Sequence, residues 1–278
     1  IALGLQNVAD PFGNFWGGSR GGKPLFRGIR DCNIFLENIN KVEEMNTWEK
    51  ERWTAEVKFL KAYYHFYLLR MYGPIPIVKE NLPIAATPGQ VQVHRDPVDS
   101  CVNYIVQLLD ESFENPNLPD NLSGVEGSEL GRVTKSMVLA LKAKVLITAA
   151  SPLFNGNPEY ASFTDKQGTP LFNSTYDARK WQLAADATKA AIEFFHLQGG
   201  SLNVATGPTT YVINDTIRTQ LRLRTALTIR ESNTEVIWPN TNSRADVNMQ
   251  RWSMPIIATG ATSSAGPKGI LSPTLKMA

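Results

Sequence analysis

The stretch AEVKFLKAYYHFYLLRMYGPIPIV, residues 55–78, decides the fold of this chain. Its apolar and aromatic residues recur every three or four positions, which predicts a helix with two adjoining buried stripes. Gly73-Pro74 ends the helix, because neither residue continues it, and a short apolar segment follows. A helix that is apolar over so much of its surface has to be covered on more than one side. The predicted stripes are Trp53, Val57, Leu60, Tyr64, Leu68 and Met71, and beside them Phe59, Tyr63, Phe66 and Tyr67.

The remaining sequence predicts further helices separated by long connections. The predicted helices lie at residues 25–44, 47–72, from 96 onward, 135–150 and 178–197. Asp96 and Thr134 are the predicted N-caps of the third and fourth helices. Loops are predicted at 1–24, 115–131 and 240–273, and a short strand at 235–239. The fold class is therefore mainly α, with tetratricopeptide-like antiparallel helix pairs and long irregular loops that are candidates for function.

Apolar spacing also predicts which side of three more helices is buried. On the first helix these residues are Phe26, Ile29, Asn33, Phe35, Leu36 and Ile39. On the third they are Val98, Cys101, Val102, Ile105, Leu108 and Leu109. On the fifth they are Trp181, Ala184, Thr188, Ala191, Ile192 and Phe195.

Composition excludes several classes of protein. The net charge is +2, with no basic block or basic helix face, so nucleic acid is not an expected partner. No apolar run reaches the length of about 18 residues that spans a membrane. Cys32 and Cys101 fall on apolar helix positions and read as small buried side chains, although spacing leaves their pairing open. The first residue, Ile1, follows no leader segment, and we expect the chain to be a piece of a longer protein.

Two enzyme-like motifs in the first loop lack the surroundings that their chemistry needs. Residues 17–21 fit G-x-S-x-G, but no buried strand precedes them to present Ser19. Residues 17–23 resemble a P-loop, but Pro24 stands where a serine or threonine would hold magnesium. The three histidines are isolated, which argues against a metal site. Sequence therefore predicts neither catalysis, nor a metal, nor a cofactor.

Aromatic residues beside polar ones in the loops are the remaining candidates for a binding site. A ring covers the apolar face of a sugar, while amide, hydroxyl and guanidinium groups pair with its hydroxyls. The competing interpretation is that these rings fill the core beneath the long loops. The candidate ligand-binding residues are Asn14, Phe15, Trp16, Arg20, Arg251 and Trp252.

Several blocks, in order, resemble the SusD/RagB family. The most specific is Glu56-x-Lys58-Phe-Leu-Lys-Ala62-x3-Phe66-x-Leu68-x3-Tyr72-Gly-Pro-Ile-Pro76, in which Lys61 replaces the commoner arginine. The other blocks are at residues 25–33, 95–110, 131–143, 181–187, 235–238 and 272–274.

The resemblance implies a cell-surface nutrient-binding protein that is not an enzyme. Members of this family are outer-membrane lipoproteins that capture glycan or other nutrient and deliver it to a SusC-like, TonB-dependent transporter. It implies a single SusD-like domain over 1–278, with a first loop (1–24), helical repeats (25–200), a loop-rich segment (201–278) and a missing C-terminal part. The lipid anchor of the family, which would hold the protein on the outer face of the outer membrane, is absent from this chain. The loop before the first helix often contributes to the ligand platform, which favours Asn14, Trp16 and Arg20.

A second hypothesis comes from a different class of protein. A helical-repeat module without a sugar site would bind a protein or peptide along its concave face. Such a module predicts an exposed groove along Tyr64, Tyr67 and Tyr72, whereas glycan capture predicts exposed aromatic residues on loops.

Overall fold

The computed structural model describes residues 6–7, 9–122, 126–202, 214–228 and 234–239. The chain divides into two compact units, Ile1–Ile237 and Trp238–Ala278, and the fold below is that of the first. That a single domain covers the whole chain stays a prediction. No helix within the described residues is both long and apolar enough to cross a membrane.

Helices dominate the described residues, which confirms the predicted fold class. The β structure of the described residues consists of two isolated bridges. The helices are α1 (Leu25–Asn38), α2 (Thr47–Tyr72), α3 (Pro88–Val91), α4 (Val98–Phe113), α5 (Glu126–Glu129), α6 (Lys135–Ala150), α7 (Arg179–Leu197) and α8 (Asp215–Thr228). Single 3-10 turns follow α1 at Ile39–Lys41 and precede α7 at Pro158–Tyr160.

Helix α2 lies at the centre of the core. The Asn46 side chain caps its start by accepting from the Glu49 N–H at 2.9 Å, and Gly73 ends it with φ +69°. Its inner face differs from the first predicted stripe, because Trp53 and Met71 are 41% and 50% exposed. A helix that is apolar nearly all round does not show which sides its neighbours cover. The fully buried apolar residues of α2 are Ala55, Phe59, Ala62, Phe66, Leu68 and Leu69.

Neighbouring helices pack in sequence order as α1–α2, α2–α4, α4–α6 and α6–α7. The α2–α4 pair is antiparallel, since the Ser112 hydroxyl at the end of α4 donates to the Ala55 carbonyl at 2.9 Å. At the opposite end, the Cys101 thiol donates to the Ile75 carbonyl just beyond α2. The six residues predicted for the inner face of α4 are all buried, which confirms that prediction.

Several local predictions were wrong. The first helix ends at Asn38 rather than at residue 44, and α8 was not predicted. Asp96 does not cap α4, because its carboxylate accepts the Ile77 N–H at 2.7 Å instead. Residues 234–239 form bends rather than a strand. On α7, Ala184 alone of the six predicted residues is buried.

Candidate functional site

The loop before α1 folds back on itself in a tight, hydrogen-bonded turn. Asn14 and Ser19 form an antiparallel bridge, and the Gly13 N–H donates to the Arg20 carbonyl at 2.9 Å. The Asn14 side-chain oxygen accepts the N–H groups of Trp16 and Gly17 at 3.1 and 2.8 Å. Much of the hydrogen-bonding capacity of Asn14 therefore goes to shaping the loop.

The end of α2 fastens this loop to the helices. The Tyr72 hydroxyl accepts the backbone N–H groups of Phe15 and Trp16 at 2.9 and 3.2 Å. The Phe15 ring meets the Tyr67 ring edge-on, with centroids 4.8 Å apart. The loop is therefore a preorganised surface rather than a free segment, which lowers the entropy lost on binding a ligand.

Trp16 lies half-buried at the centre of a cluster of rings. Its indole meets the rings of Phe26 and Tyr72 edge-on, at centroid distances of 4.8 and 5.4 Å. The Arg95 guanidinium lies 5.4 Å from the indole centroid, over the ring. Its Nη1 group donates to the carbonyls of Tyr72 and Pro74, both at 3.2 Å. Trp16 thus packs against the core and remains partly exposed. Its environment fits in part the prediction of a sugar-binding ring and in part the prediction of a ring that fills the core beneath the loops.

Sequence reasoning missed Arg95 as a site residue. It stands far along the chain from Trp16, after the proline-rich segment, and reaches the loop only because that segment returns past the end of α2. The signal that might have pointed to it is the family-like block that begins at residue 95.

Arg20 and Phe12 form the outer part of the loop. Arg20 pairs with Asp10, and its guanidinium lies 5.2 Å from the centroid of the Phe12 ring. The hydrogen bond from Arg20 lowers the pKa of the Asp10 carboxyl. The Phe12 side chain is 41% exposed. A half-exposed Phe12 ring beside the Arg20 guanidinium, which is paired with Asp10, therefore faces solvent on the first loop.

The sequence also singled out two late residues, a serine and the histidines. Arg251 and Trp252 lie outside the described residues. The Ser19 hydroxyl accepts the side-chain N–H of Asn14 at 3.1 Å, in a turn rather than on a strand-to-helix elbow. His65 is buried in the core, far from Ser19 along the chain. Within the ranges that the structure describes, no group of three His, Cys, Asp or Glu residues could hold a metal ion.

Both cysteines are structural. They are buried and unpaired, which answers the question that their spacing left open. Burial is the main reason that the pKa of each thiol rises to about 11. Thiolates are therefore scarce at neutral pH, and neither side chain is a nucleophile.

A glycine prediction tests whether the shape of the loop matters. The Cβ of alanine at position 22 would lie 2.2 Å from the Asn14 carbonyl oxygen, so Gly22→Ala should displace the turn. We expect a loss of about 1–3 kcal/mol in the free energy of unfolding, measured by chemical denaturation. Gly89→Ala is the control, because a Cβ at that position meets nothing within 4 Å. Equal effects of the two changes would contradict this account.

The comparisons with known proteins agree with this fold. Residues 6–147, just over half of the chain, match the SusD-like_3 family, described as starch-binding associating with outer membrane. The chain belongs to this SusD-like family. No curated protein matches it significantly.

Solved structures of SusD-like proteins share the architecture. The structure of BT4246 matches with a TM-score of 0.75 and 29% identity, covering 95% of this chain and 46% of BT4246. Selenomethionine BT4246 matches with a TM-score of 0.62 and 31% identity, covering 79% of this chain and 39% of that one. A SusD-like protein (BF3747) from Bacteroides fragilis NCTC 9343 matches with a TM-score of 0.57 and 21% identity, over 83% of this chain and 35% of that protein. This chain therefore spans less than half the length of the proteins it resembles.

Proposed function

We propose that this protein captures a glycan at the surface of a Gram-negative cell and does not transform it. It is held on the outer face of the outer membrane by a lipid anchor and delivers the glycan to a SusC-like, TonB-dependent transporter. The observation that carries the proposal is the match to a family described as starch-binding associating with outer membrane. The matched residues, 6–147, include the loop before α1 that Tyr72 holds in place. The exposed Phe12 and Arg20 and the half-buried Trp16 give that loop the chemistry of a sugar-binding surface.

We assign binding to the loop before α1, with Asn14 and Phe15 shaping it and Trp16 and Arg20 contacting the sugar. Arg95 joins them, because its guanidinium lies over the Trp16 ring. Arg251 and Trp252 belong to the assignment on sequence grounds alone. Affinity at such a surface is modest, because each sugar hydroxyl gives up water before it pairs with the protein.

The peptide-binding alternative needs an open groove along three tyrosines of α2. Tyr64, Tyr67 and Tyr72 are instead all half-buried. Gly28 of α1 lies against Tyr64, so closely that a Cβ there would be 3.0 Å from its ring. The first loop covers Tyr67 and Tyr72, as described above. The geometry therefore favours the glycan hypothesis.

Glycan binding is tested by affinity electrophoresis and calorimetry against a panel of plant, microbial and host polysaccharides. We expect Trp16→Ala to weaken binding about tenfold, because the indole supplies the apolar contact. Arg20→Gln should weaken it less, and Trp252→Ala tests the part of the assignment that rests on sequence. Thermal unfolding of each variant separates loss of contact from loss of fold.

Trp181→Ala is the matched control for the indole. This tryptophan is 44% exposed on α7, a part of the surface to which we assign no ligand. Its replacement should leave affinity unchanged. Equal losses for Trp16 and Trp181, or turnover of any polysaccharide into reducing sugar, would contradict the proposal. Co-purification with a β-barrel encoded beside the protein tests delivery to a transporter.

A further inference from the structure

Positive charge is concentrated around the first loop. Residues 11–30 contain four basic and no acidic side chains, although the net charge of the whole chain is only +2. One of the four, Arg20, pairs with Asp10. The others, Lys23, Arg27 and Arg30, are exposed, and none takes part in a salt bridge among the described residues.

These three cations form a stripe along the start of α1. Arg27 and Arg30 lie three residues apart on α1, which places their side chains on one side of the helix, and Lys23 lies just before the helix. On a helix of 3.6 residues per turn, Arg30 lies about 40° around the axis from Phe26, whose ring contacts Trp16. Arg30 therefore lies on the same side of α1 as the residue that contacts the indole.

Arg95 adds a fourth positive charge over the same indole. Its Nη1 group is satisfied by two carbonyls, while its Nε and Nη2 groups have no partner among the described residues. These remaining N–H groups have the forked geometry that suits a carboxylate or a sulfate. Asp31, the nearest acidic residue on α1, is exposed and likewise takes part in no salt bridge within the described ranges.

A neutral sugar gains nothing from the positive charge of the exposed Lys23, Arg27 and Arg30, or from that of Arg95 over the indole. Hydroxyl groups are recognised as well by amides and carboxylates, whereas like charges held close together destabilise the free protein. An anionic ligand relieves that repulsion and gains charge-assisted hydrogen bonds.

We infer that the glycan bound at this loop is acidic, with carboxylate or sulfate groups that pair with Lys23, Arg27, Arg30 and Arg95 while a sugar ring contacts Trp16. The inference rests on the proposed glycan capture and specifies the class of ligand.

Calorimetry of the full chain with acidic and neutral polysaccharides tests the inference. The acidic set is polygalacturonate and alginate, which carry carboxylates, and dextran sulfate; the neutral set is amylose and dextran. We expect at least one acidic polymer to bind about tenfold more tightly than any neutral one at low salt, and to lose that advantage at 0.5 M salt, where the screening length falls well below 10 Å. Preference for the uronates or for dextran sulfate identifies the anionic group.

The charge variant is the triple change Lys23→Gln, Arg27→Gln and Arg30→Gln. It should weaken binding of the preferred acidic polymer at least about tenfold. The control triple, Lys41→Gln, Lys50→Gln and Lys144→Gln, removes the same charge from residues outside the stripe and should change the affinity less than about twofold.

The possible results separate the two proposals. If neutral polymers bind as tightly as acidic ones, with dependence on Trp16, the inference fails and glycan capture stands. If both triple variants weaken binding equally, net charge alone is responsible and the inference fails. If polyglutamate binds as tightly as the acidic polysaccharides and Trp16→Ala has no effect, the surface binds any polyanion, and both proposals fail.

Discussion

Replacing Arg52 by alanine is expected to lower the free energy of unfolding by about 3 kcal/mol or more. Arg52 is only 6% exposed, and its guanidinium donates to both carboxylate oxygens of Glu129, at 3.1 and 2.6 Å. Its Nε group also donates to Glu56 at 3.2 Å. Arg132 bonds the same two carboxylates, so the four side chains form one closed network.

The expected loss of stability is large because removing Arg52 leaves the carboxylates of Glu56 and Glu129 with too little positive charge beside them. Without Arg52, two partly buried carboxylates share the single guanidinium of Arg132, and each loses a charge-assisted hydrogen bond. The network also connects α2 to the segment that leads into α6, so the change loosens contact between distant parts of the chain. Urea denaturation at neutral pH measures the difference in free energy.

Arg179→Ala is the matched control. Arg179 makes a similar two-pronged contact with Asp177, at 3.0 and 2.9 Å, but its side chain is 88% exposed. An exposed ion pair contributes at most about 1 kcal/mol. Similar losses in the two variants would show that burial does not set the strength of the Arg52 network.

The buried residues of a helix were predicted accurately only where its apolar residues lie on one face. On α4 polar residues fill most of the outer face, so spacing alone identified six of the eight buried positions. On α2 nearly every side is apolar, and Trp53 reads like a core residue although it lies at the edge, stacked near Phe35 and under the Arg132 guanidinium. Periodicity identifies the buried face of a helix when the other faces are polar. It does not identify that face when apolar residues lie on nearly all sides.

Polar residues inside the core were beyond the reach of pattern reasoning for a different reason. Lys61 is 3% exposed and donates to the Lys79 carbonyl at 2.6 Å, a contact made possible by the return of the chain after Gly73. Burial lowers the pKa of its ammonium group. A lysine in the sequence is normally predicted to lie on the surface. The hydrogen bond to the Lys79 carbonyl explains why the Lys61 side chain is buried instead.

The sequence predicted which residue types make up the candidate site, but not the long-range contacts that bring them together. The rings and polar groups of residues 12–20 marked the first loop as unusual. That the Tyr72 hydroxyl fastens this loop, and that Arg95 closes over Trp16, depends on long-range contacts with no local signal. The Asn14 side-chain oxygen accepts two backbone N–H groups of its own turn, and its contact with a ligand stays a prediction.

Acid should destabilise this protein through His65. The imidazole is 1% exposed, and burial is the main cause that lowers its pKa from 6.5 to about 4, with the nearby Lys61 ammonium acting in the same direction. Its Nδ1 group contacts the Lys61 carbonyl at 2.8 Å, and its Nε2 atom lies 3.3 Å from the Val78 N–H. These partners identify the neutral tautomer with the proton on Nδ1, so that Nε2 accepts from Val78.

The sign of the effect follows from proton binding. Between pH 6.5 and pH 4 the unfolded imidazole is protonated and the folded one is not, so the unfolded state binds more protons and stability rises with pH. The shift corresponds to about 3 kcal/mol of stability that is present at pH 7 and is lost by pH 4. A proton on Nε2 would also oppose the Val78 N–H and break that hydrogen bond.

The variant His65→Gln isolates this contribution, because all carboxylates remain. Glutamine loses packing and is less stable at pH 7, but the gap between wild type and variant should narrow by about 3 kcal/mol as the pH falls to 4, measured by denaturation at each pH. His196→Gln, at an exposed position of α7, should keep the slope of the wild-type curve. Parallel curves for wild type and His65→Gln would refute the assignment.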